Sequence, residues 1–442
     1  MRFYSKEIKI ITVINNTSTK FDMITKKVVG SLLIILIMFF AFGNTIIGRK
    51  FFTLNERGEI ISALLLSIVF CVLFFKKGEY KQFIKKNIFV ILYLIIRLVL
   101  IFKLSFDYST IRSVFFEGFF LIVVSEDLLK GQSVLIKKST YLITGINLAL
   151  NAINLFLSWN ITSNYPILSK QIVEKISLYG IKGVLPQCTM YANPNSLGIM
   201  SAFSILILAN LIRRKKPFVR IFSAIAIIFN LYCIYASQCR SAIVALLGCL
   251  AIYLFRLIMK NIDVRKITAV IMLMCLIASF SILGYAEKHK ETGINYYHIT
   301  KEENFIENMS SGRYLIWKTG LFAHKNTAFL GSGSAKNEIN NRARFVKNNY
   351  EKGWTRYENL GPHNGYLAML WCSGILGSIM FFAGLLKKIF NSRGLETDSK
   401  YLILIFIFVI NMFESMFIVN RYFVVLYLFL ILAMDEDKEV KE

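Results

Sequence analysis

The sequence predicts an all-α protein that crosses a membrane about twelve times, with both termini on the cytoplasmic side. Three observations carry that prediction. The 442 residues are 55% hydrophobic and 14% aromatic. Only 18% are charged, against roughly 25% in soluble globular chains. The apolar residues also fall into runs long enough to cross a bilayer core of about 30 Å, which takes about 20 residues of helix. Five prolines leave no room for a proline-rich linker, and no stretch has the composition of a disordered tail. Soluble multidomain enzymes, fibrous proteins and nucleic-acid-binding modules are disfavoured.

The runs lie at about 28–48, 58–75, 88–104, 109–129, 140–158, 195–212, 218–236, 240–259, 267–285, 362–386, 400–419 and 421–434. The first follows basic residues, and Ala41-Phe42-Gly43 loosely resembles a signal-peptide cleavage site. Its apolar stretch is long for that role, so it is read as a retained span. The seven cysteines form no C-x-x-C pair and fit no disulfide framework; they read as small buried hydrophobes.

Sidedness follows from the net charge of +25 (52 basic minus 27 acidic residues) and where it sits. With the N-terminus inside, the cytoplasmic connections hold Lys76, Lys77, Lys81, Lys85 and Lys86; Lys130, Lys137 and Lys138; Arg213, Arg214, Lys215, Lys216 and Arg220; Arg256, Lys260, Arg265 and Lys266; and Lys387, Lys388, Arg393 and Lys400. Every one is more basic than the short external loops beside it. The chain divides accordingly into spans one to nine (1–285), a large external loop (286–361), spans ten to twelve (362–434) and a charged cytoplasmic tail (435–442). A second long external segment covers about 159–194. Long loops in a tight bundle tend to carry function. The larger one holds twelve basic residues, among them Arg313, Arg342, Arg344 and Arg356. The expected partner on that face is an anionic lipid or a phosphate.

Four polar elements from distant parts of the sequence fall on this outer face. In Ser310-Ser311-Gly312-Arg313-Tyr314, the spacing of Tyr314, Trp317 and Leu321 predicts an amphipathic helix on the membrane surface, capped by Ser310 or Ser311. Arg313 falls in its first turn, where unpaired N–H groups already favour an anion. Ser237-Gln238-Cys239-Arg240-Ser241 is a tight external turn, and Arg240 is the only charge between Arg220 and Arg256. A snorkelling interface arginine is the plainer reading of it. Gly361-Pro362-His363-Asn364-Gly365-Tyr366 re-enters the membrane as span ten, and a histidine at that boundary can serve as a general base. Asn193-Pro194-Asn195-Ser196 opens span six, with proline in its ordinary place at a helix start. His289, His298 and His324 share the large loop and carry no expectation beyond solvation.

Inside the membrane, Arg97 and Glu117 lie at similar depth in spans three and four, so a structural ion pair is expected. Glu414 lies about five residues below the outer end of span eleven with no evident partner. Asp435-Glu436-Asp437 looks like a metal motif but falls in the cytoplasmic tail. No other acidic pair with metal-ligand spacing lies outside, so no catalytic metal and no cofactor are expected.

The constellation resembles the O-antigen ligase and O-antigen polymerase superfamily of bacterial envelope enzymes. The resemblance rests on Asn193-Pro194-Asn195-Ser196-Leu197-Gly198; on Gln238-Cys239-Arg240-Ser241-Ala242; on Ser311-Gly312-Arg313 with Trp317 and Gly331-Ser332-Gly333; and on His363-Asn364-Gly365-Tyr366-Leu367 with Gly374-Ile375-Leu376-Gly377. It spans about residues 190–385, and the first half of the chain matches only in hydropathy and span count. Gln238-Cys239 departs from the serine that usually precedes the arginine.

The resemblance implies a metal-independent, membrane-embedded glycosyltransferase in the cytoplasmic membrane, acting at its outer face on glycans linked to undecaprenyl pyrophosphate. Arg240 and Arg313 would bind the donor pyrophosphate and His363 would act on the acceptor hydroxyl. Asn195, Asn364, Tyr366 and Glu414 are, from their positions at or near the same outer face, candidates for supporting roles. The donor and acceptor glycolipids and membrane lipid are the implied partners, together with a chain-length regulator and flippase of the same pathway; nucleic acid is not. The motifs do not separate a polymerase from a ligase. A composition heavy in Ile, Lys, Asn and Phe suits AT-rich genomes, as in many Gram-positive bacteria without lipopolysaccharide, and this favours a capsular or exopolysaccharide repeat-unit polymerase. A ligase acting on lipid A core is the alternative. A flippase is the alternative from another class, disfavoured because no internal repeat is evident and the polar features cluster outside.

Overall fold

The computed structural model describes residues 80–104, 111, 114, 140–149, 151–152, 191, 194–212, 216–259, 262–288, 305–307, 310, 312–349, 361–392 and 400–417. Its elements are helices: α1 (Tyr80–Leu104), α2 (Pro194–Ile212), α3 (Pro217–Ser237), α4 (Arg240–Ile258), α5 (Val264–Lys288), α6 (Tyr314–Ala323), α7 (Ala335–Asn349), α8 (Gly365–Asn391) and α9 (Lys400–Ile410), with a further helical stretch at 140–149. Five of them, α2, α3, α4, α5 and α8, are long and apolar enough to cross a membrane. The spans expected at 28–48, 58–75 and 421–434, most of 109–129 with Glu117, and residues Cys71, Cys188, His289, His298 and Arg356 lie outside the described residues.

Local chemistry sets the helix ends. Proline opens both α2 and α3, where its missing N–H costs nothing. Helix α3 stops at Gln238, which turns left-handed (φ 52°) and returns its N–H to the Tyr235 carbonyl. Asn364 caps α8 by accepting from the N–H groups of Tyr366 and Leu367.

Helix α9 is the centre of the bundle. Eight of its eleven residues, from Tyr401 to Ile410, are buried, and it packs on α2, α4 and α5. A helix that is apolar all round belongs in such a place. Helices α3 and α4 instead leave Ile225, Ile228, Leu247 and Leu250 exposed, as lipid-facing helices do. Helices α2 and α3 pack closely, and a Cβ at Gly198 of α2 would lie 2.8 Å from Ser237 Oγ of α3. Burial also fits the reading of the cysteines: Cys233, Cys239, Cys249, Cys275 and Cys372 are all buried, and none of these five is in a disulfide.

Three elements differ from expectation. Span eleven is helical only to Ile410, not to 419. Asn411 ends it by folding its amide back onto the Ile407 carbonyl, while its side-chain oxygen accepts from the N–H groups of Met416 and Phe417. The segment 411–417 is therefore a turn, not a helix. Second, α8 is broken at Gly374 (φ 67°, ψ −177°). The loop 328–333 closes the gap: Ile375 donates to the Ala328 carbonyl, while Ser332 and Gly333 donate to those of Trp371 and Cys372. A break in an apolar helix is tolerated when other backbone satisfies the freed groups. A Cβ at Gly374 would lie 2.3 Å from the Phe329 oxygen, which is why glycine stands there. Third, α6 is not a surface helix. Tyr314 to Gly320 are all buried, between α5 and α7, and this run includes the polar Lys318 and Thr319.

Candidate functional site

One end of the bundle collects the start of α2, the α3–α4 turn, the start of α6, the start of α8 and the 411–417 turn. Glu414 joins them. Its carboxylate is buried, with 6% of the side chain exposed. One oxygen, Oε1, accepts from Arg313 Nη2 at 3.0 Å and from Asn195 Nδ2 at 2.9 Å. The other, Oε2, faces His363 Nδ1 at 3.4 Å. A glutamate with no partner evident in the sequence thus binds three residues from three separate elements.

Each of these side chains is held from behind. Arg313 precedes α6, and its Nη1 donates to the Phe413 carbonyl. Two of its N–H groups are engaged in this way, and 14% of the side chain remains exposed. It is a seated residue, not a solvated surface arginine. The α6 N-terminus itself does not wait for an anion as the sequence suggested. Glu307 Oε2 accepts from the Leu315 N–H at 3.0 Å, and Ser310 Oγ accepts from Tyr314 at 3.0 Å. The expected serine cap is real, and a carboxylate already occupies the positive end of the helix.

His363 has φ 48°, a left-handed conformation that costs a non-glycine residue about 1–2 kcal/mol. Its neighbours enforce it. The Trp317 indole donates to the Pro362 carbonyl at 2.7 Å. The Asn364 N–H donates to Ser415 Oγ, and the Gly365 N–H to the Asn411 carbonyl. Strained backbone over-determined by its surroundings is characteristic of functional positions. In the tautomer that donates from Nδ1 to Glu414, the imidazole keeps its lone pair on Nε2. About a third of the side chain (34%) is exposed.

Arg240 opens α4 and is exposed. The turn behind it is pinned: Cys239 is buried, its Sγ lies 3.8 Å from the Asn195 carbonyl, and Gly198 leaves the space its side chain fills. Asn364 and Tyr366 do not join the charged cluster. Asn364 caps α8 and donates to Ser279 Oγ and the Met412 carbonyl. Tyr366 donates to the Phe408 carbonyl and packs on Phe382 and Phe417. Both build the wall beneath the site. Arg97 lies far from it along α1, buried, with Nη1 donating to Tyr93 Oη at 3.0 Å; its expected partner Glu117 is outside the described residues.

A second charged cluster was not legible in the sequence. His324, expected to be solvated, is buried beside Glu338 and Arg342. Arg342 Nε donates to Glu338 Oε1 at 3.0 Å, so this loop arginine is spent internally. The His324 ring stacks on Trp371 at 5.8 Å. Burial, and then the positive charge of Arg342, push its pKa down to about 4. Among the described residues, no three of His, Cys, Asp and Glu gather into a group that could hold a metal ion.

Residues 224–382 match the family model described as O-antigen ligase. No curated protein and no solved structure matches the chain. The matched stretch contains Arg240, Arg313 and His363; Asn195 and Glu414 lie outside it. The match supports the O-antigen ligase and polymerase superfamily, whose members are membrane glycosyl-transferring enzymes.

Proposed function

We propose that this protein joins oligosaccharide repeat units carried on undecaprenyl pyrophosphate into a capsular, exopolysaccharide or O-antigen-type polymer, at the outer face of the cytoplasmic membrane. The observation that carries the reading is a forked cation and an imidazole facing the same carboxylate, Arg313 and His363 on Glu414. Transfer of a glycan from a lipid pyrophosphate needs both groups. The acceptor hydroxyl oxygen forms a bond to the anomeric carbon of the donor sugar as the bond from that carbon to the phosphate oxygen breaks. The electron pair leaves with the pyrophosphate, and the hydroxyl proton passes to His363 Nε2. Negative charge grows on the leaving phosphates, where Arg313 and Arg240 offer planar, permanently charged donors. Stabilising charge that grows in the transition state lowers the barrier, whereas binding substrate equally well does not. A single displacement of this kind inverts the anomeric configuration.

The family description favours a ligase as the second reading, with finished chains moved to lipid A core. One experiment separates the readings: a profile of lipid-linked glycans from a deletion strain, complemented with wild type or His363→Ala. Single repeats that accumulate without polymer, in the deletion and the variant alike, support the polymerase. Long chains retained on the carrier overturn it in favour of the ligase. Repeats trapped on the cytoplasmic face overturn both in favour of a flippase.

A further inference from the structure

The glycosyl-transfer reading gives Arg240, Arg313 and His363 a step each, and gives Glu414, the carboxylate that joins two of them, a supporting place without a stated step. Glu414 is an unusual neighbour for a phosphate site, since its charge repels the donor that Arg313 would bind. It is also well anchored. Its own N–H closes onto the Ile410 carbonyl, Asn195 fixes Oε1, and Asn411 shapes the turn that presents it. Arg313 does not need Glu414 to stay in place, because Nη1 is held separately by the Phe413 carbonyl. Among the described residues, His363 has no other side-chain partner.

Resting on that functional reading, we propose that Glu414 is a positioning residue with two opposite effects. Through Oε2 it holds the His363 ring and keeps the proton on Nδ1, so that Nε2 faces the acceptor. Through Oε1 it stands in for the donor phosphate on Arg313, a resident anion that the incoming pyrophosphate must share or displace. Asn195 belongs to the same device, because its amide fixes Oε1 and thereby the aim of Oε2. The carboxylate therefore raises the rate of transfer while weakening the hold on donor and on the lipid pyrophosphate product. Both residues lie outside residues 224–382, the stretch that matches the family model.

A residue that merely held the fold would affect both properties in the same direction, and this is the basis of the test. Wild type, Glu414→Gln, His363→Ala and the double variant are purified into lipid nanodiscs. Turnover is measured with a synthetic lipid-pyrophosphate glycan, and binding with undecaprenyl pyrophosphate. Glu414→Gln is expected to lower kcat about a hundredfold while binding undecaprenyl pyrophosphate a few-fold more tightly than wild type. The double variant is expected to be no slower than His363→Ala, because residues that act as one unit are not additive. Asn195→Leu is the second probe should Glu414→Gln fail to assemble; it is expected to show the same split at about a tenfold loss in kcat. Binding no tighter than wild type alongside the lost turnover, or a further loss in the double variant, would overturn the positioning role. Retained turnover in Glu414→Gln would do the same. Wild type that neither binds undecaprenyl pyrophosphate nor turns over is a different result, and it overturns the glycosyl-transfer reading together with the inference built on it.

Discussion

Two clusters in this protein use the same three side chains, a glutamate, an arginine and a histidine, and they are put together differently. In the first, Glu414, Arg313 and His363 come from three separate elements across about a hundred residues of sequence. Their side chains are 6%, 14% and 34% exposed. In the second, Glu338 and Arg342 are one helical turn apart on α7, and His324 lies a short loop away. There the exposures are 1%, 0% and 3%. A closed, local cluster can exchange nothing with a substrate: Arg342 pairs with Glu338, and the His324 ring lies against Trp371. An assembled, partly open one keeps part of the arginine and about a third of the histidine side chain accessible. The same chemistry is architecture in one place and a candidate site in the other, and exposure with connectivity decides which.

Four substitutions test that division. The largest effect is expected from His363→Ala, a loss of about a thousandfold in turnover if it is the general base, with undecaprenyl pyrophosphate binding retained; a variant with a wild-type pH–rate profile would remove the base role. Arg342→Ala should act on the other cluster and on stability alone. It leaves Glu338 buried without its cation, which costs about 3–5 kcal/mol, and the measurement is the melting temperature in detergent. If Arg342→Ala instead gave a normally stable protein with impaired turnover, the division between the clusters would fail. Arg313→Lys keeps the charge but loses the planar fork, so a drop of about a hundredfold in turnover is expected, with little change in melting temperature. Near-wild-type activity would rule out a forked contact with phosphate.

The smallest effect concerns pH. His324 stays unprotonated in the folded protein down to about 4, whereas an exposed histidine takes up its proton near 6.5. A base whose folded pKa is depressed contributes stability that is present above the unfolded value and lost as pH falls toward the folded one. The melting temperature should therefore fall between about pH 6.5 and pH 4. His324→Phe keeps the ring against Trp371 and should flatten that part of the curve; an unchanged slope would assign it to another group.

Much of the site was legible along the chain because its residues interrupt apolar sequence. Arg240 is the only charge in a long stretch, and His363 and Asn195 stand at the mouths of spans. Runs of hydrophobic residues located α2, α3, α4, α5 and α8 to within a few residues, since a helix in a bilayer must satisfy its own backbone and be apolar for most of its length. Apolar composition did not reveal where such a helix breaks. Gly374 and the end of α9 at Ile410 depend on partners supplied by other segments, the 328–333 loop and the Asn411 side chain. Nor did spacing identify α6 as buried, because Lys318 and Thr319 read as a polar face until α5 and α7 close over them.

The sequence by itself determined that the chain is a bundle of apolar helices with basic connections and a family-like set of polar residues at their ends. Only the tertiary structure decided which of those residues meet. Hydrophobic periodicity is a local property, written in neighbouring residues, and can be read without knowing the fold. The meeting of Asn195, Arg313, His363 and Glu414 is set by how four elements pack at one end of the bundle. A carboxylate's partner is chosen by distance in space, which no spacing along the chain records.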